Sequence, residues 1–275
     1  NMDRMRNVFA TFRPEIIFHA AAYKHVPVME LNPSESILNN VMGTKIIADL
    51  AMESGTRKFV MISTDKAVNP TNIMGATKRI AEIYTQSMNS FGKTRFITTR
   101  FGNVLGSNGS VIPRFKKQIE SGQPITVTDP NITRFFMTIS EASQLVLEAA
   151  TMGKGGEIFI FDMGKPVRID DLARKMIQLS GLELGKDIQI NYTGIRPGEK
   201  LYEELLANEE NTMPTHHRKI MIAKVKEYDF ATVSADIHEL IGLFNAQNNE
   251  AIVRKMKAIV PEFLSKNSTY EQLDK

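Results

Sequence analysis

Hydrophobic and polar positions follow two different periods in the first part of the chain. Short continuous apolar runs indicate buried strands, and longer stretches with apolar residues three or four positions apart indicate amphipathic helices. The apolar runs predict strands over 16–22 and 58–63, and residues 95–100 are predicted as a strand because they are rich in isoleucine and threonine. The predicted helices are 1–12, 34–54 and 71–91. Strands that alternate with helices in this way favour β-α-β units and a parallel sheet with helices on both faces.

The second half of the chain has shorter elements separated by more glycine. The predicted strands are 124–128, 135–138 and 157–162, and the predicted helices are 112–121, 139–152, 169–180 and 201–206, with one or two more over 229–264. Residues 265–275 are polar, which predicts a frayed end. The pattern therefore predicts an α/β fold in which a parallel sheet is followed by a smaller mixed lobe.

Composition narrows the class of protein. The chain has 275 residues, of which 42% are hydrophobic and 24% charged, as in a globular protein of one large domain or a domain plus a small lobe. Its net charge of +3 is too small to favour nucleic acid binding. No apolar run approaches the roughly 18 residues of a membrane span. The absence of cysteine fits a reducing compartment, so we expect a cytoplasmic protein, and five dispersed histidines predict no metal site.

Hydroxyl, carboxylate and amine side chains stand together where the second predicted strand ends. Thr64, Asp65 and Lys66 follow its apolar residues 59–62. Open α/β sheets build active sites at the carboxyl ends of strands, and these residue types suit proton transfer. Two interpretations stay open, because Asp65 and Lys66 form either a loop ion pair of little energetic value or an acid and a base that act on one substrate. Desolvation would lower the pKa of Lys66 and Asp65 would raise it.

The helix that follows this strand end contributes a second candidate pair. Met74 and Lys78 lie four residues apart and therefore share a helix face. A lysine on a helix is ordinarily a solvated surface charge, but the strand end shortly before this helix favours a functional role for Lys78.

A charged loop over residues 194–200 is a candidate for anion binding. Arg196 and Glu199 are either solvated or provide a guanidinium fork for a diphosphate and a carboxylate for ribose hydroxyls. Arg114 and Arg134 are weaker candidates for the same anion. The sequence contains no glycine-rich dinucleotide loop in the required strand–turn–helix setting.

A set of motifs together resembles a known protein family. They are His19–Ala22, Asn40–Thr44, Ser63–Pro70, Phe101–Ser107, Gly109–Pro113 and Gly194–Glu204. They are similar to motifs of the extended short-chain dehydrogenase/reductases and, within that superfamily, of the bacterial UDP-N-acetylglucosamine 4,6-dehydratases of capsule synthesis and flagellin glycosylation. The resemblance extends over about residues 1–225. Met74 departs from the Tyr-x-x-x-Lys motif of the superfamily and is similar in this to the large membrane-anchored members.

The resemblance implies a partial Rossmann-type, doubly wound parallel sheet with a smaller mixed α/β substrate lobe. We expect residues 1–105 to be the remaining part of a nucleotide-binding Rossmann domain, 106–228 to be mainly a UDP-sugar lobe with interleaved Rossmann elements, and 229–275 to be C-terminal helices and a tail. The early strands and glycine loop are expected before residue 1. The parent protein is expected to be a homo-oligomer anchored in the inner membrane, with its catalytic domain on the cytoplasmic face.

The reaction that the resemblance implies is the dehydration of a UDP-N-acetylhexosamine for surface polysaccharide or glycan synthesis. NAD or NADP takes hydride from sugar C4, Lys66 removes the C5 proton, and Asp65 protonates the departing C6 hydroxyl. Hydride then returns to C6 and gives a 4-keto-6-deoxy sugar nucleotide. Lys78 would bind the nicotinamide ribose, and Thr64 would bind the sugar oxygen.

The resemblance also implies where each candidate residue acts. Those at the catalytic centre are Thr64, Asp65, Lys66, Met74 and Lys78. Those toward the cofactor are Ala20, Ala21, Ala22, Asn40, Ser63, Lys78 and Phe101. Those toward UDP-N-acetylglucosamine or a related UDP-sugar are Lys24, Asn103, Val111, Arg114, Arg134, Arg196 and Glu199.

Two other functions stay open at this point. A sugar-nucleotide 4-epimerase would share the fold and cofactor, but it has no need of the Asp65–Lys66 pair and normally uses the tyrosine that Met74 replaces. A non-catalytic UDP-sugar-binding or interaction module is favoured by Met74 and by the missing glycine loop. The intact set of Thr64, Asp65 and Lys66 opposes this second alternative.

Overall fold

A mixed sheet runs through the computed structural model, which describes residues 1–204, 212–224 and 226–274. The strands over these residues are β1 (Ile16–His19), β2 (Lys58–Ile62), β3 (Arg95–Arg100), β4 (Asn103–Val104), β5 (Ile125–Val127), β6 (Thr133–Arg134), β7 (Phe136–Met137), β8 (Ile158–Phe161), β9 (Val167–Arg168), β10 (Ile190–Tyr192), β11 (Thr212–Pro214) and β12 (Ile220–Ala223). Six of these described strands form the main sheet in the order β1-β2-β3-β8-β12-β11, and the others pair as β5 with β10, β4 with β7 and β6 with β9.

Helices connect the strands and cover the sheet. The α-helices over the described residues are α1 (Met2–Phe12), α2 (Val26–Leu31), α3 (Pro33–Ser36), α4 (Gly43–Glu53), α5 (Ile73–Ser87), α6 (Val111–Glu120), α7 (Ile139–Met152), α8 (Ile169–Leu179), α9 (Phe230–Gly242) and α10 (Asn249–Ile259). A π-helical segment is Ile37–Met42, and the 3₁₀ turns are Asp65–Ala67, Met88–Phe91, Leu243–Ala246 and Thr269–Leu273. None of these described helices has the length and hydrophobicity that crossing a bilayer requires.

Four strands of the main sheet confirm the predicted parallel arrangement. β2 pairs in parallel with β1 on one side and with β3 on the other, and β3 pairs in parallel with β8. β12 then runs antiparallel to β8, and β11 runs antiparallel to β12. Because the carboxyl ends of parallel strands lie at one edge of a sheet, the loops after β1, β2 and β3 meet on the same side.

Helices cover both faces of the sheet, as predicted for a doubly wound fold. Phe59 and Met61 of β2 pack in a core with α4, α5, α9 and α10, whereas Val60 packs in a core with α7 on the other face. Complete burial of each such side chain contributes about 1.5–3 kcal/mol. The two cores therefore fix the orientation of β2 and of the turn that follows it.

The smaller lobe has a core of its own. The β5–β10 pair packs with α6 and α8 around Phe115 and Ile177, which are both buried. Between the elements of this lobe the chain returns to the main sheet in β8. The expected domain boundaries, given above, stay a prediction.

The strand predicted over 16–22 is shorter and less buried in the structure. It ends at His19, and residues 20–25 form a loop without regular structure. Among the described strands β1 pairs only with β2, which leaves Ile16 and Phe18 partly exposed at the sheet edge. A continuous apolar run marks a strand but does not report how many neighbours that strand has.

The helix predicted over 201–206 is wrong over the part that the structure describes. Residues 201–204 are not helical, and the Leu201 carbonyl instead accepts a hydrogen bond from the Thr133 N–H at 2.9 Å. Residues 205 and 206 lie outside the described part. The β11–β12 pair that follows was not predicted, because strands of three and four residues are too short to show a period.

The frayed end predicted over 265–275 is also wrong for the residues that the structure describes. We call residues 261–274 the C-terminal strap. Two of its N–H groups donate to the carbonyls of Pro70 and Thr71, at 3.1 and 3.2 Å. The Ser268 hydroxyl donates at 2.7 Å to a buried glutamate of α2. The polar composition of the strap therefore reflects hydrogen bonds to the rest of the fold.

Candidate active site

A cavity of about 440 Å³ opens where the loops after β1, β2 and β3 face the smaller lobe. Most of the residues predicted for a site line it. They are Ala20, Ala22, Lys24, Ser63, Thr64, Lys66, Met74, Lys78, Phe101, Asn103, Val111, Arg134, Arg196 and Glu199. The predicted residues outside the lining are Ala21, Asn40, Asp65 and Arg114.

The side chains of the turn after β2 form a hydrogen-bonded group. The Thr64 hydroxyl caps the 3₁₀ turn and donates to Asp65 Oδ1 at 2.9 Å. The Lys66 ammonium donates to the same oxygen, also at 2.9 Å. The Asp65 side chain has no exposed surface, whereas the Lys66 side chain is 16% exposed and lines the cavity. Asp65 therefore meets the cavity through Thr64 and Lys66.

The second oxygen of the Asp65 carboxyl is enclosed by the fold. Oδ2 is buried and has no hydrogen-bond partner among the described residues. It faces Gly102, where an added Cβ would lie 3.0 Å from it. Burial raises the pKa of Asp65 despite the nearby Lys66 ammonium. This carboxyl therefore holds a proton more readily than an ordinary aspartate, as an acid in a proton transfer requires.

Glu203 is a third ionisable group at this point and was not selected from the sequence. Its Oε1 lies 3.4 Å from Lys66 Nζ and 3.7 Å from Arg134 Nε, and its side chain is 4% exposed. Burial alone would raise the pKa of Glu203, but Lys66 and Arg134 outweigh burial and lower it. Burial alone would lower the pKa of Lys66, but Asp65 and Glu203 outweigh burial and raise it. Lys66 is therefore an ammonium group held between two carboxyl groups.

α5 packs directly against this turn and brings Lys78 to the cavity. A Cβ on Gly75 would lie only 2.1 Å from the Lys66 carbonyl oxygen, so this approach requires glycine. Lys78 is 4% exposed, and burial lowers its pKa to about 8 against the opposing effect of Glu82. Lys78 therefore changes its charge much closer to neutral pH than an ordinary lysine does.

Glu82 is itself held by arginine. Arg100 donates from Nε to Oε1 at 2.9 Å and from Nη2 to Oε2 at 2.7 Å, and Arg79 donates to Oε2 at 3.2 Å. Burial alone would raise the pKa of Glu82, but Arg100 and Arg79 outweigh burial and lower it. This network fixes the helix turn that follows Lys78.

Met74 forms an apolar part of the cavity wall. It is 4% exposed and packs with Val26 and Met29 of α2. A thioether neither ionises nor donates a hydrogen bond. Met74 therefore shapes the wall, and proton transfer is left to other groups.

Asn40 supports the cavity from behind rather than lining it. Its Oδ1 accepts from the Tyr23 N–H at 2.7 Å, and its Nδ2 donates to the Tyr23 carbonyl at 3.0 Å and to the Thr77 hydroxyl at 3.1 Å. The side chain is completely buried. Its amide therefore fixes the loop that carries Ala20 and Ala22, a role that the residue type alone did not predict.

Arg114 also lies behind the wall. Its guanidinium donates to the Thr126 carbonyl at 2.7 Å, and burial and the nearby Arg196 lower its pKa. Arg196 lines the cavity together with Glu199. The two guanidinium groups put positive charge at one end of the cavity, which suits an anionic ligand.

The loop over 194–200 is attached to the start of α5 and to the C-terminal strap. The Gly198 carbonyl accepts from the Thr71 hydroxyl at 3.2 Å and from the Asn72 amide at 3.0 Å. Its N–H donates to the Lys266 carbonyl at 2.8 Å. Gly198 has a φ of +78°, and a Cβ there would lie 2.6 Å from the Cβ of Asn72. The fold therefore fixes the position of this loop at Gly198, while Gly194 and Pro197 stay exposed.

Comparison with known proteins agrees with the resemblance in the motifs. A family model described as a polysaccharide biosynthesis protein matches residues 1–225. The chain is 56% identical over 248 residues to the capsular polysaccharide biosynthesis protein CapD of Staphylococcus aureus, covering 90% of this chain and 41% of that protein. It is 39% identical over 213 residues to a UDP-N-acetylglucosamine 4,6-dehydratase (inverting) of Campylobacter jejuni, covering 76% of this chain and 61% of that protein.

Two further matches extend this comparison. The chain is 40% identical over 197 residues to a UDP-glucose 4-epimerase of Rickettsia rickettsii, covering 70% of this chain and 56% of that protein. The solved structure of Pen from Bacillus thuringiensis is 38% identical with a TM-score of 0.74, covering 81% of this chain and 68% of that one. The chain spans 41% of the length of its staphylococcal relative.

Proposed function

The chain belongs to the polysaccharide biosynthesis protein family, and on that basis we propose that it dehydrates a UDP-N-acetylhexosamine to the 4-keto-6-deoxy sugar nucleotide. The proposed substrate is UDP-N-acetylglucosamine, and the proposed cofactor is NAD or NADP. The Campylobacter relative named as a UDP-N-acetylglucosamine 4,6-dehydratase supports this substrate and reaction. The observation that supports the proposal best is that Thr64, Lys66 and Lys78 line one cavity, with Asp65 hydrogen-bonded directly behind them.

The residues of the cavity suit a nicotinamide nucleotide. Ala20 and Ala22 put only methyl groups on their part of the wall, which leaves room for a ribose and a flat ring. Lys78 presents an amine that can donate to ribose hydroxyls. When bound, such a cofactor accepts hydride from the sugar and later returns it.

Thr64 and Asp65 are proposed to take the proton that leaves the sugar C4 hydroxyl, because Met74 has no group that can do so. The Thr64 hydroxyl lines the cavity and donates to Asp65 Oδ1 at 2.9 Å. As Thr64 accepts the proton of the sugar, it gives its own proton to Asp65. The charged form of Lys78 stabilises the negative charge that develops on the C4 oxygen.

Lys66 is the proposed base of the elimination, and Asp65 is the proposed acid. Because burial lowers the pKa of Lys66 less than Asp65 and Glu203 raise it, its ammonium group must first release a proton to solvent. The neutral amine then takes the C5 proton, which the ketone at C4 has made acidic. Asp65, through the Thr64 hydroxyl, gives its proton to the C6 hydroxyl, which departs as water. Lys66 returns its proton to C5 when hydride is added at C6, so only water is lost. Each positioned acid or base typically contributes about 100-fold to 10,000-fold in rate.

The other end of the cavity is proposed to hold the UDP moiety. Arg196 and Glu199 line this part and offer a guanidinium and a carboxylate to the diphosphate and ribose. Asn103 lies beside Lys66, where its Oδ1 accepts from Lys66 Nζ at 3.4 Å, and its amide is a further proposed substrate contact. Lys24, Val111 and Arg134 complete the proposed substrate contacts, and Arg114 adds positive charge from behind.

Product mass separates this proposal from its alternatives. The full-length protein is incubated with UDP-N-acetylglucosamine and NAD, and the product is expected to be lighter than the substrate by one water. A product of unchanged mass would indicate an epimerase. Binding of the sugar nucleotide by calorimetry without any turnover would indicate a non-catalytic module.

Lys66→Ala is expected to abolish the loss of water and to leave the binding of UDP-N-acetylglucosamine almost unchanged, because Arg196 and Glu199, the proposed diphosphate and ribose contacts, are not among the described partners of the Lys66 amine. Mass spectrometry of the product and calorimetry measure the two effects. Arg196→Ala serves as the matched control, in which binding is expected to weaken. Near-normal turnover by Lys66→Ala would remove Lys66 from the mechanism.

A further inference from the structure

Lys66 Nζ lies between two carboxyl groups that meet the cavity differently. Asp65 Oδ1 is 2.9 Å away and Glu203 Oε1 is 3.4 Å away. The Asp65 side chain is completely buried outside the lining, whereas Glu203 lines the cavity. A molecule that reaches Lys66 therefore finds Glu203 on the same wall and Asp65 behind it.

Arg134 holds Glu203 from the other side. Its Nε lies 3.7 Å from Glu203 Oε1, while its Nη1 donates to the Thr133 carbonyl at 2.7 Å. The hydrogen bond between the Thr133 N–H and the Leu201 carbonyl places the Glu203 segment beside this arginine. Glu203 is therefore oriented by a fixed guanidinium on one side and by Lys66 on the other.

We propose that Glu203 is a positioning residue. Glu203 holds the Lys66 amine at the cavity wall and stabilises the ammonium ion that forms when Lys66 takes a proton from the sugar. The inference rests on the proposed function, in which Lys66 is the base. It follows the general arrangement of acid–base sites, where a third group orients the base.

The proton transfer is balanced, and Glu203 is unchanged by it. The C5–H bond breaks, its electron pair moves toward the C4 ketone to give an enolate, and a new N–H bond forms on Lys66. At this stage of the proposed reaction Asp65 carries the proton from the C4 hydroxyl and is neutral. Glu203, at 3.4 Å, is then the carboxylate that faces the new positive charge on Lys66.

A purely structural ion pair would have the same distances. Removal of one partner of a buried pair also destabilises a fold, so that loss of activity alone does not separate the two roles. Two measurements together separate the roles. The pH at which Lys66 loses its proton reports whether the charge of Glu203 acts on the amine, and a loss of kcat that depends on pH reports whether this charge matters for the proposed base.

The test compares Glu203→Gln with Glu204→Gln. Both changes remove one carboxylate from adjacent residues, but Glu204 contacts Asn69 and Lys200 rather than Lys66. Each protein is treated with trace acetic anhydride over a range of pH, and acetylation of Lys66 is measured by mass spectrometry of peptides. The midpoint, which is the pH at which Lys66 reaches half of its maximal acetylation, is expected to move to lower pH in Glu203→Gln and to stay unchanged in Glu204→Gln.

Arg134→Gln is a second variant, in which the Lys66 midpoint is expected to move in the opposite direction. Removal of this cation is expected to move the Lys66 midpoint to higher pH, because Arg134 disfavours the charged form of Lys66. This variant keeps the test valid if Glu203→Gln fails to fold. An unchanged Lys66 midpoint in the folded Glu203→Gln or Arg134→Gln protein overturns the proposal.

Acetylation requires neither cofactor nor turnover, so its result stands even if the protein proves not to be a dehydratase. In a turnover assay, Glu203→Gln is expected to lower kcat about 100-fold, with KM for the UDP-sugar nearly unchanged and the acidic limb of the pH profile moved to lower pH. An equal loss at every pH, with Lys66 acetylated as in the wild type, would make Glu203 a structural residue and overturn the proposal.

Discussion

Lys78 places an amine in a buried position at the cavity, and the burial of that charge opposes folding. Its pKa is lowered from 10.5 to about 8. Below pH 8 the folded protein carries the charge in a buried site, whereas the unfolded chain carries it in water. Lys78 therefore reduces stability at neutral pH, and the reduction diminishes as the pH rises from about 8 to 10.5, where the unfolded state binds more protons.

Lys78→Met is therefore expected to stabilise the fold by up to about 3 kcal/mol at pH 7, since one pKa unit corresponds to about 1.4 kcal/mol. The gain is expected to fall to roughly half at pH 9.5. Urea unfolding followed by circular dichroism measures the free energy of unfolding at both pH values. Lys116→Met, whose native side chain is 70% exposed, is the control and should change little. A Lys78→Met protein less stable than the wild type at pH 7 would contradict this account.

Among single residues, the sequence predicted which part of the chain reaches the cavity better than it predicted the orientation of each side chain. Lys66 lines the cavity, as expected of a polar residue at a strand end. Asp65 precedes Lys66 in the chain, but its side chain points away from the cavity, because a 3₁₀ turn distributes successive side chains around its axis. Glu203 was missed because it stands next to Glu204, and residue type does not distinguish a carboxylate that is 4% exposed from one that is 36% exposed.

At the scale of elements, the contact between α5 and the turn after β2 sets the geometry of the acid–base group. Gly75→Ala is expected to separate the two elements, because the new Cβ would lie 2.1 Å from the Lys66 carbonyl oxygen. We expect a loss of about 2–3 kcal/mol in the free energy of unfolding, together with most of the activity. Thermal unfolding and the turnover assay measure these two effects.

Gly43→Ala in α4 is the matched control for this change. Outside the nearby backbone of its own helix, the nearest atom to the added Cβ is the Leu38 carbonyl oxygen at 3.9 Å, which is an ordinary contact. Alanine has the higher helix propensity, so stability should rise by up to about 1 kcal/mol. Equal melting temperatures for Gly75→Ala and Gly43→Ala would show that α5 does not pack against the turn as described.

The elements with long periodic patterns were predicted well. β2 was predicted from its apolar run, β3 was predicted from its isoleucine and threonine content, and α7 has the predicted bounds Ile139–Met152. The hydrophobic pattern gave a wrong prediction where backbone groups form hydrogen bonds with residues that are distant in sequence. Leu201 pairs with Thr133 instead of starting a helix, and no local period encodes a partner that lies so far away in sequence.

At the scale of the whole molecule, the C-terminal strap joins parts of the cavity that are distant in sequence. Glu30 of α2 accepts from the Ser268 hydroxyl at 2.7 Å and from the Ile73 N–H at 2.9 Å. The Lys266 carbonyl accepts from the Gly198 N–H at 2.8 Å. The strap therefore fixes α2, the start of α5 and the 194–200 loop relative to one another.

Ser268→Ala is expected to loosen this arrangement, because it removes a hydrogen bond worth about 1 kcal/mol. Amide exchange at Gly198 should become about fivefold faster, and UDP binding should weaken by a similar factor. Hydrogen–deuterium exchange with mass spectrometry and calorimetry measure these effects. In the control Ser121→Ala, the native hydroxyl is exposed and bonds to Lys117 at the end of its own helix, so neither quantity should change. Wild-type exchange at Gly198 in Ser268→Ala would contradict the role of the strap.

The overall architecture followed from the order of strands and helices, since alternation alone favours a parallel sheet covered on both faces. The order of elements did not predict that the C-terminal strap packs beside the cavity. Its hydrogen bonds to Pro70, Thr71 and Gly198 depend on the assembled fold, and a polar segment has the same composition whether it is solvated or hydrogen-bonded to a neighbour.

The match to the family ends at residue 225, and the strap begins well after it. A chimaera that joins the matched region of one relative to the tail of another would keep Thr64, Asp65 and Lys66 but would lose the fit between the strap and the loop that carries Arg196. Recombination between relatives therefore has to exchange the strap and residues 194–200 as one unit if the loop is to keep its position.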